Sequence, residues 1–296
     1  MTTDAYQPLV AILPRHPDIK LTLNIPGALT EQLLALRLDR IISGIAGLVE
    51  RGQIELVGSP MYHPILPLIP RSERLRQFSL QTKLHQRAFG IKQPQGCYLP
   101  EMAFDPILEQ DILSMGFTWT LLDEGSAGKG FNSLSLEQPY QTPSGLKVIF
   151  RNRLISDWMS FRADPDHPEL ARAAIDHDIR SKNFLVTGLD GENLGHHRHR
   201  ADQLWEALVT GPGIETDTLS SFAALPTKPI QPLAGSWSSL PTELAAHIPY
   251  GLCNHPRNPL HQAPSALPND DISTMQASHQ EPDHTPSRRR TDSAFP

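Results

Sequence analysis

An alternation constrains this chain more than any single residue does. Short apolar runs of strand length recur, and each is followed by a stretch with helical spacing. Leu21-Thr22-Leu23-Asn24-Ile25 is stopped by Pro26-Gly27. Leu29, Leu33, Leu34 and Leu36 then have helix spacing, as do Ile41, Ile42, Ile45, Leu48 and Val49. Ile54-Glu55-Leu56-Val57 is a second strand-like run, closed by Gly58-Ser59-Pro60. Residues 71–89 read as an amphipathic helix ended by Gly90. Its expected apolar face is Leu75, Phe78, Leu80, Leu84 and Ala88, against Arg74, Gln77, Gln81 and Lys83. Further strands are expected around 96–99, 117–122, 147–150 and 183–188, with helices over 6–15, 105–114, 168–179 and 199–209. This order is the mark of a parallel α/β fold.

In α/β barrels the chemistry gathers at the carboxyl ends of the strands. His63, Glu101, Asp123, Asp157 and Asp190 all fall at or just past such ends. Glycosidic bonds are commonly cut by a pair of carboxyl groups, one attacking the sugar carbon and one passing the proton. Glu101 and Asp190 are the candidates, and the proton donor needs a pKa raised by burial or by neighbouring negative charge. The plainer reading of an acid at a strand end is a helix cap or a loop hydrogen-bond acceptor. His196, His197 and His199 offer imidazoles to a metal, or form a solvent-facing loop entering a helix. Trp119, Trp158 and Trp237 are each a sugar platform or a core residue.

A formal net charge of −6 on 296 residues gives no pull toward nucleic acid or an anionic membrane. No apolar run is long enough to span a bilayer. The start shows neither a basic region nor an apolar one of signal-peptide type, so a cytoplasmic location is expected. Two cysteines, Cys97 and Cys253, with no CxxC spacing read as reduced thiols.

Four stretches resemble a known family, glycoside hydrolase family 57, which acts on α-glucans. Gly52-Gln53-Ile54-Glu55-Leu56-Val57-Gly58-Ser59-Pro60, running on to Tyr62-His63-Pro64, resembles its second motif. Gly96-Cys97-Tyr98-Leu99-Pro100-Glu101 resembles its third, with Tyr98 at the usual tryptophan. Leu189-Asp190-Gly191-Glu192-Asn193 resembles its fourth. Gly235-Ser236-Trp237, then Asn254-His255-Pro256 and Asn258, resemble the segment after the barrel.

The resemblance implies an irregular (β/α)7-type barrel over residues 1–262. It implies a retaining hydrolase or glucanotransferase working by double displacement. Glu101 is then the nucleophile and Asp190 the general acid/base, with His63, Asp123 and Trp237 binding substrate. The partner is an α-glucan or maltooligosaccharide, with no metal and no organic cofactor.

The first-strand His-Gln-Pro-type motif of the family has no counterpart here, and Tyr6-Gln7-Pro8 aligns with the helix that follows it. The barrel is therefore expected to be incomplete. Residues 263–296, rich in Pro, Ser, Asp, His and Gln, are expected to be a disordered tail. Two other readings follow: an inactive fragment of such an enzyme, or a metal-dependent polysaccharide deacetylase. The latter wants an Asp and two histidines spaced i, i+4, which the 196–199 cluster does not supply.

Overall fold

The computed structural model describes residues 2–128, 134–182 and 184–262. The tail expected to be disordered lies outside the described residues. Among the described residues seven strands are formed: β1 (Leu21–Leu23), β2 (Ile54–Leu56), β3 (Gly96–Cys97), β4 (Trp119–Asp123), β5 (Tyr140–Gln141), β6 (Lys147–Arg151) and β7 (Lys228–Pro229). Between and around them run α1 (Gln7–Ile12), α2 (Gly27–Ala35), α3 (Asp39–Glu50), α4 (Arg71–Phe89), α5 (Glu109–Ser114), α6 (Arg153–Phe161), α7 (Pro168–Lys182), α8 (Ala201–Val209), α9 (Leu219–Ala223) and α10 (Pro241–Ala245).

The class is α/β, as the alternation implies. β1 and β2 pair in parallel, and so do β3, β4 and β6 in that spatial order. β5 lies antiparallel against β6 and carries β7 on its far side. Just past β2 the chain bridges to β3: Gly58 donates its N–H to the Gly96 carbonyl at 3.0 Å, and Tyr98 donates to Gly58 at 2.8 Å. The described strands thus form two hydrogen-bonded sheets that run on from one another, not one closed ladder.

The apolar run expected as a strand at 183–188 forms no ladder among its described residues. One backbone bond, Asn152 N–H to the Val186 carbonyl at 2.7 Å, ties it to the end of β6. The Gly188 N–H and carbonyl are taken by side chains instead, those of Ser156 (3.1 Å) and Arg151 (3.0 Å). At Gly188, side chains thus take the groups that a neighbouring strand would pair with.

Period-2 alternation sorts the sheet into two faces. Leu122, Val148 and Phe150 pack with Cys97, Leu99, Phe104 and Phe117. Trp119, Leu121 and Ile149 pack on the other side with Val57, Met102 and Val186. The same period puts Asp123 on the face of Trp119 and Leu121, and Lys147 and Arg151 on the face of Ile149. Gly96 has to be glycine here, because a Cβ would lie 2.1 Å from the Trp119 indole.

At the foot of this face, α9 is tied to four strands. Lys147 Nζ donates to the Ala223 carbonyl at 2.7 Å, and Trp119 Nε1 donates to Ser220 Oγ at 2.9 Å. The Ser220 N–H and hydroxyl both go to the Glu55 carboxylate. Leu219 N–H is accepted by Thr22 Oγ1 at 2.8 Å.

The amphipathic reading of α4 is corrected by the structure. Its buried side is Arg74, Gln77, Phe78, Gln81, His85 and Phe89, while Leu75, Leu80, Leu84 and Ala88 are only half-buried. The polar residues are inside because they have partners there. Arg74 pairs with the buried Asp111 at 2.9 Å, and His85 meets Thr30 Oγ1 at 3.2 Å. The two glutamines hold a loop described below.

Residues near the start of the chain are bound to residues far along it. Arg15 and His16 both pair with Glu206, at 2.8 and 2.7 Å, and Lys20 N–H donates to Thr216 Oγ1 at 2.9 Å. The turn Thr2–Tyr6 lies against residues 191–195. There Gly195 has φ +130°, and a Cβ on it would sit 2.2 Å from the Asp4 carbonyl oxygen.

The chain divides into two units, Met1–Leu252 and the residues from Cys253 onward. The described part of the second holds a short helix, α11 (Pro259–Gln262), with His255 N–H donating to His261 Nδ1 at 2.9 Å. Among the described residues no helix is long and apolar enough to cross a membrane.

Candidate active site

The loop after β2 carries His63, and α4 holds it from beneath. Gln81 accepts the Ser59 N–H at 2.8 Å and donates to the Ile25 carbonyl at 3.2 Å. Gln77 accepts the Tyr62 N–H at 2.9 Å. His63 has φ +57°, a left-handed conformation uncommon away from glycine.

The loop after β3 carries Glu101, also left-handed at φ +58°, ψ +15°, and Met102 follows at φ +48°. Two such residues in succession cost conformational energy, and surrounding contacts have to hold them. Here residues 235–237 do so. Phe104 and Gly235 exchange backbone bonds at 2.8 and 3.0 Å, and the Tyr250 hydroxyl donates to the Phe104 carbonyl at 2.6 Å. Trp237 donates twice to Glu101: its backbone N–H to the carbonyl at 3.1 Å, and its indole Nε1–H to Oε2 at 2.8 Å.

Asp123 and Arg151 end β4 and β6 in register. Asp123 is wholly buried. Its Oδ2 accepts from Arg151 at 2.8 Å, and its Oδ1 accepts from Arg153 at 3.0 Å and from the Gly125 N–H at 2.9 Å. Arg151 also reaches Asp157 at 2.9 Å and lies 5.3 Å from the centre of the Trp237 ring. Arg153 donates to the carbonyls of Trp237 (2.7 Å) and Ser239 (3.2 Å). Asp123 therefore acts here as an anchor for two guanidinium groups, with no surface of its own to offer a ligand.

Asp190 precedes a short 3-10 turn (Gly191–Asn193), and its side chain caps nothing. Solvent reaches it, yet surrounding protein displaces much of its hydration. That loss raises its pKa above the ordinary aspartate value; the negative charges of Glu192 and Glu101 raise it further, opposed by His197 and Arg151. The same charges act on the neighbours. Burial, then Asp190 and Glu101, push the Tyr98 phenol up. Burial, then Glu192 and Asp190, do the same to Tyr6. Burial lowers the pKa of His63, against the pull of Glu101 and Glu192, which favours the neutral imidazole. Glu101, Asp190, Glu192, His63, Tyr98 and Arg151 thus share one electrostatic neighbourhood.

Of the expected residues, then, Glu101, Asp190, His63 and Trp237 come together, and Asp123 stands behind them. Arg151, Arg153 and Glu192 went unmarked in the sequence. The alternation through Lys147, Ile149 and Arg151 could have flagged Arg151 as a partner of Asp123. Trp119 is core, and Trp158 packs against buried residues of α7 and α8. His196 faces Asp4 at 3.5 Å. Among the described residues no three His, Cys, Asp or Glu side chains are gathered to hold a metal ion.

Fold and site together define an α/β protein with a carboxylate-rich site at the carboxyl ends of its parallel strands. The model of glycosyl hydrolase family 57 matches residues 1–210, and the chain belongs to that family. It is 32 % identical over 146 residues to an alpha-amylase of Pyrococcus horikoshii, a match covering 49 % of this chain and 23 % of that one. The solved 4-alpha-glucanotransferase of Thermococcus litoralis superposes with a TM-score of 0.67 at 23 % identity, over 79 % of this chain and 37 % of the other. A family-57-type branching enzyme of Pyrococcus horikoshii gives 0.68 at 17 % identity, over 79 % and 67 %. These two likenesses show the fold. The chain corresponds to about a quarter of the length of the curated relatives that it matches.

Proposed function

We propose that this chain carries the two-carboxylate centre of an α-glucan-active glycoside hydrolase or glucanotransferase that retains configuration. The strand array is read as an opened (β/α)7-type barrel. One observation carries the reading: Glu101 and Asp190 fall in one site with opposite preparation. Glu101 has one oxygen fixed by the Trp237 indole. Asp190 is biased by burial and by its acidic neighbours toward its protonated form.

With Oε2 tied to the indole, Oε1 of Glu101 is the oxygen that attacks the anomeric carbon. Asp190 gives its proton to the departing glycosidic oxygen. In the second half the Asp190 carboxylate takes a proton from water, or from the hydroxyl of another sugar, as that oxygen displaces Glu101. Water completes hydrolysis; a sugar hydroxyl completes transfer. His63 and the half-buried Trp237 are placed to meet sugar hydroxyls and a sugar face. Family membership supports the reading, as do relatives named alpha-amylase and 4-alpha-glucanotransferase.

The test is activity on maltooligosaccharides and amylose with product lengths resolved. Glu101→Gln and Asp190→Asn should each lower the rate by about a thousandfold, roughly 4 kcal/mol of barrier. A parent whose activity survives either change would refute the assignment, and a folded but inert parent would favour the inactive-fragment reading.

A further inference from the structure

We propose that Arg153 is a positioning residue for Glu101, acting through the 237–239 turn. The inference rests on the reading of Glu101 as the attacking group. Arg153 acts on Glu101 through other residues. Its guanidinium joins two elements: Asp123 at the end of β4 (3.0 Å), and the turn through its Trp237 (2.7 Å) and Ser239 (3.2 Å) carbonyls. Its own backbone N–H donates to Glu124 at 2.9 Å, so the start of α6 is fixed to β4 as well. The turn it holds presents the indole N–H that fixes Glu101 Oε2.

Glu101 needs such a hold from outside. It and Met102 are both left-handed, so the local backbone does not by itself define where the carboxylate points. A planar, forked cation can serve a carboxylate and carbonyls at once; a lysine ammonium in its place can keep the charge but not the fork. Arg151 complements this from the other side, lying over the Trp237 ring and sharing Asp123. The indole is thus gripped at its face by one arginine and at its backbone by the other. A displacement of about 1 Å in a reacting group can cost roughly a hundredfold in rate.

The experiment follows the Trp237 indole N–H resonance in the ¹⁵N-labelled full chain across pH, assigned by its loss in Trp237→Phe. In the parent it should move with a titration that Glu101→Gln abolishes. That control separates Glu101 from the other ionisable side chains around it. In Arg153→Gln the Glu101-dependent shift should disappear, and kcat on maltopentaose should fall about 10- to 100-fold with KM changed less than about threefold. Should Arg153→Gln fail to fold, Arg153→Lys keeps a cation beside Asp123; it should shrink the indole shift and lower kcat about tenfold.

An Arg153 variant with the parental titration and parental kcat overturns the proposal, while loss of activity in Glu101→Gln leaves the functional reading standing. A parent inert on maltopentaose whose indole titration still depends on Arg153 sinks the functional reading and keeps the positioning role.

Discussion

Glu101 and Asp190 stand at the same end of the sheet but are held in different ways. Glu101 follows a paired strand and is locked: backbone and indole of Trp237 both bind it, and two arginines grip Trp237 in turn. Asp190 follows a run with no ladder, precedes a single 3-10 turn and caps nothing. What shapes Asp190 is its surroundings: lost hydration and neighbouring charge. The difference suits the two tasks assigned to them. A nucleophile profits from fixed geometry, and a proton carrier from a tuned affinity for its proton.

The largest blow to the locked side is Asp123→Ala, which leaves two guanidinium groups without their buried counter-charge. Removing one partner from such a buried set costs roughly 3–5 kcal/mol. Urea denaturation should register that loss, with activity falling alongside it as the Trp237 turn loosens. Unchanged stability would mean that Asp157 alone can balance the arginines.

A smaller effect is expected from Gln81→Leu. It strands the buried Ser59 N–H, at about 1–3 kcal/mol for a group left unpaired. Because the loop it releases carries His63, KM for maltooligosaccharides should rise more than kcat falls.

The gentlest change tests the tuned side. Glu192→Gln removes one of the charges that raise the Asp190 pKa, so that pKa should drop. In the proposed mechanism the first step needs protonated Asp190, and the alkaline limb of the kcat/KM profile should therefore move to lower pH. Linkage gives the matching sign for folding. A carboxyl with a raised folded pKa favours the native state below its ordinary value, and that advantage is lost as pH rises through the folded pKa. Glu192→Gln should recover part of it, so its stability should fall less than the parent's between acid and neutral pH. An alkaline limb that stays put would show that the Glu192 charge does not tune Asp190.

The sequence disclosed β1, β2, β3, β4 and β6, most helices and the acids at strand ends because period and punctuation are local; the two-residue β5 and β7 are too short to carry a period. Leu21–Leu23, Ile54–Leu56 and Lys147–Arg151 each announce themselves by apolar content and a stop. Three things could not be seen that way. The buried polar face of α4 inverts the amphipathic rule, since Gln77 and Gln81 are inside to serve a loop that only the fold brings to them. The run 184–188 has strand composition, but Ser156 and Arg151 claim its backbone at Gly188. The arginine clamp joins residues 123, 151, 153 and 237, a set defined by register across β4 and β6 and by a distant turn. The left-handed backbone at His63 and Glu101 is likewise imposed by neighbours, since neither is the glycine that would have advertised it.

The ties between the beginning of the chain and its later part bear on how the molecule comes to be. Arg15 finds Glu206 across a separation of 191 residues, and Thr22 finds Leu219 across 197. During synthesis, residues 2–22 emerge long before the residues they bind. The stretch holding Glu101, by contrast, meets most of its strand neighbours within a few dozen residues. Contacts so distant along the sequence slow folding, because a long loop has to close before they form. The β3–β4 pairing can therefore settle early, while the Glu101 loop, held by Trp237 and Tyr250, is completed only once the chain beyond residue 235 has been made.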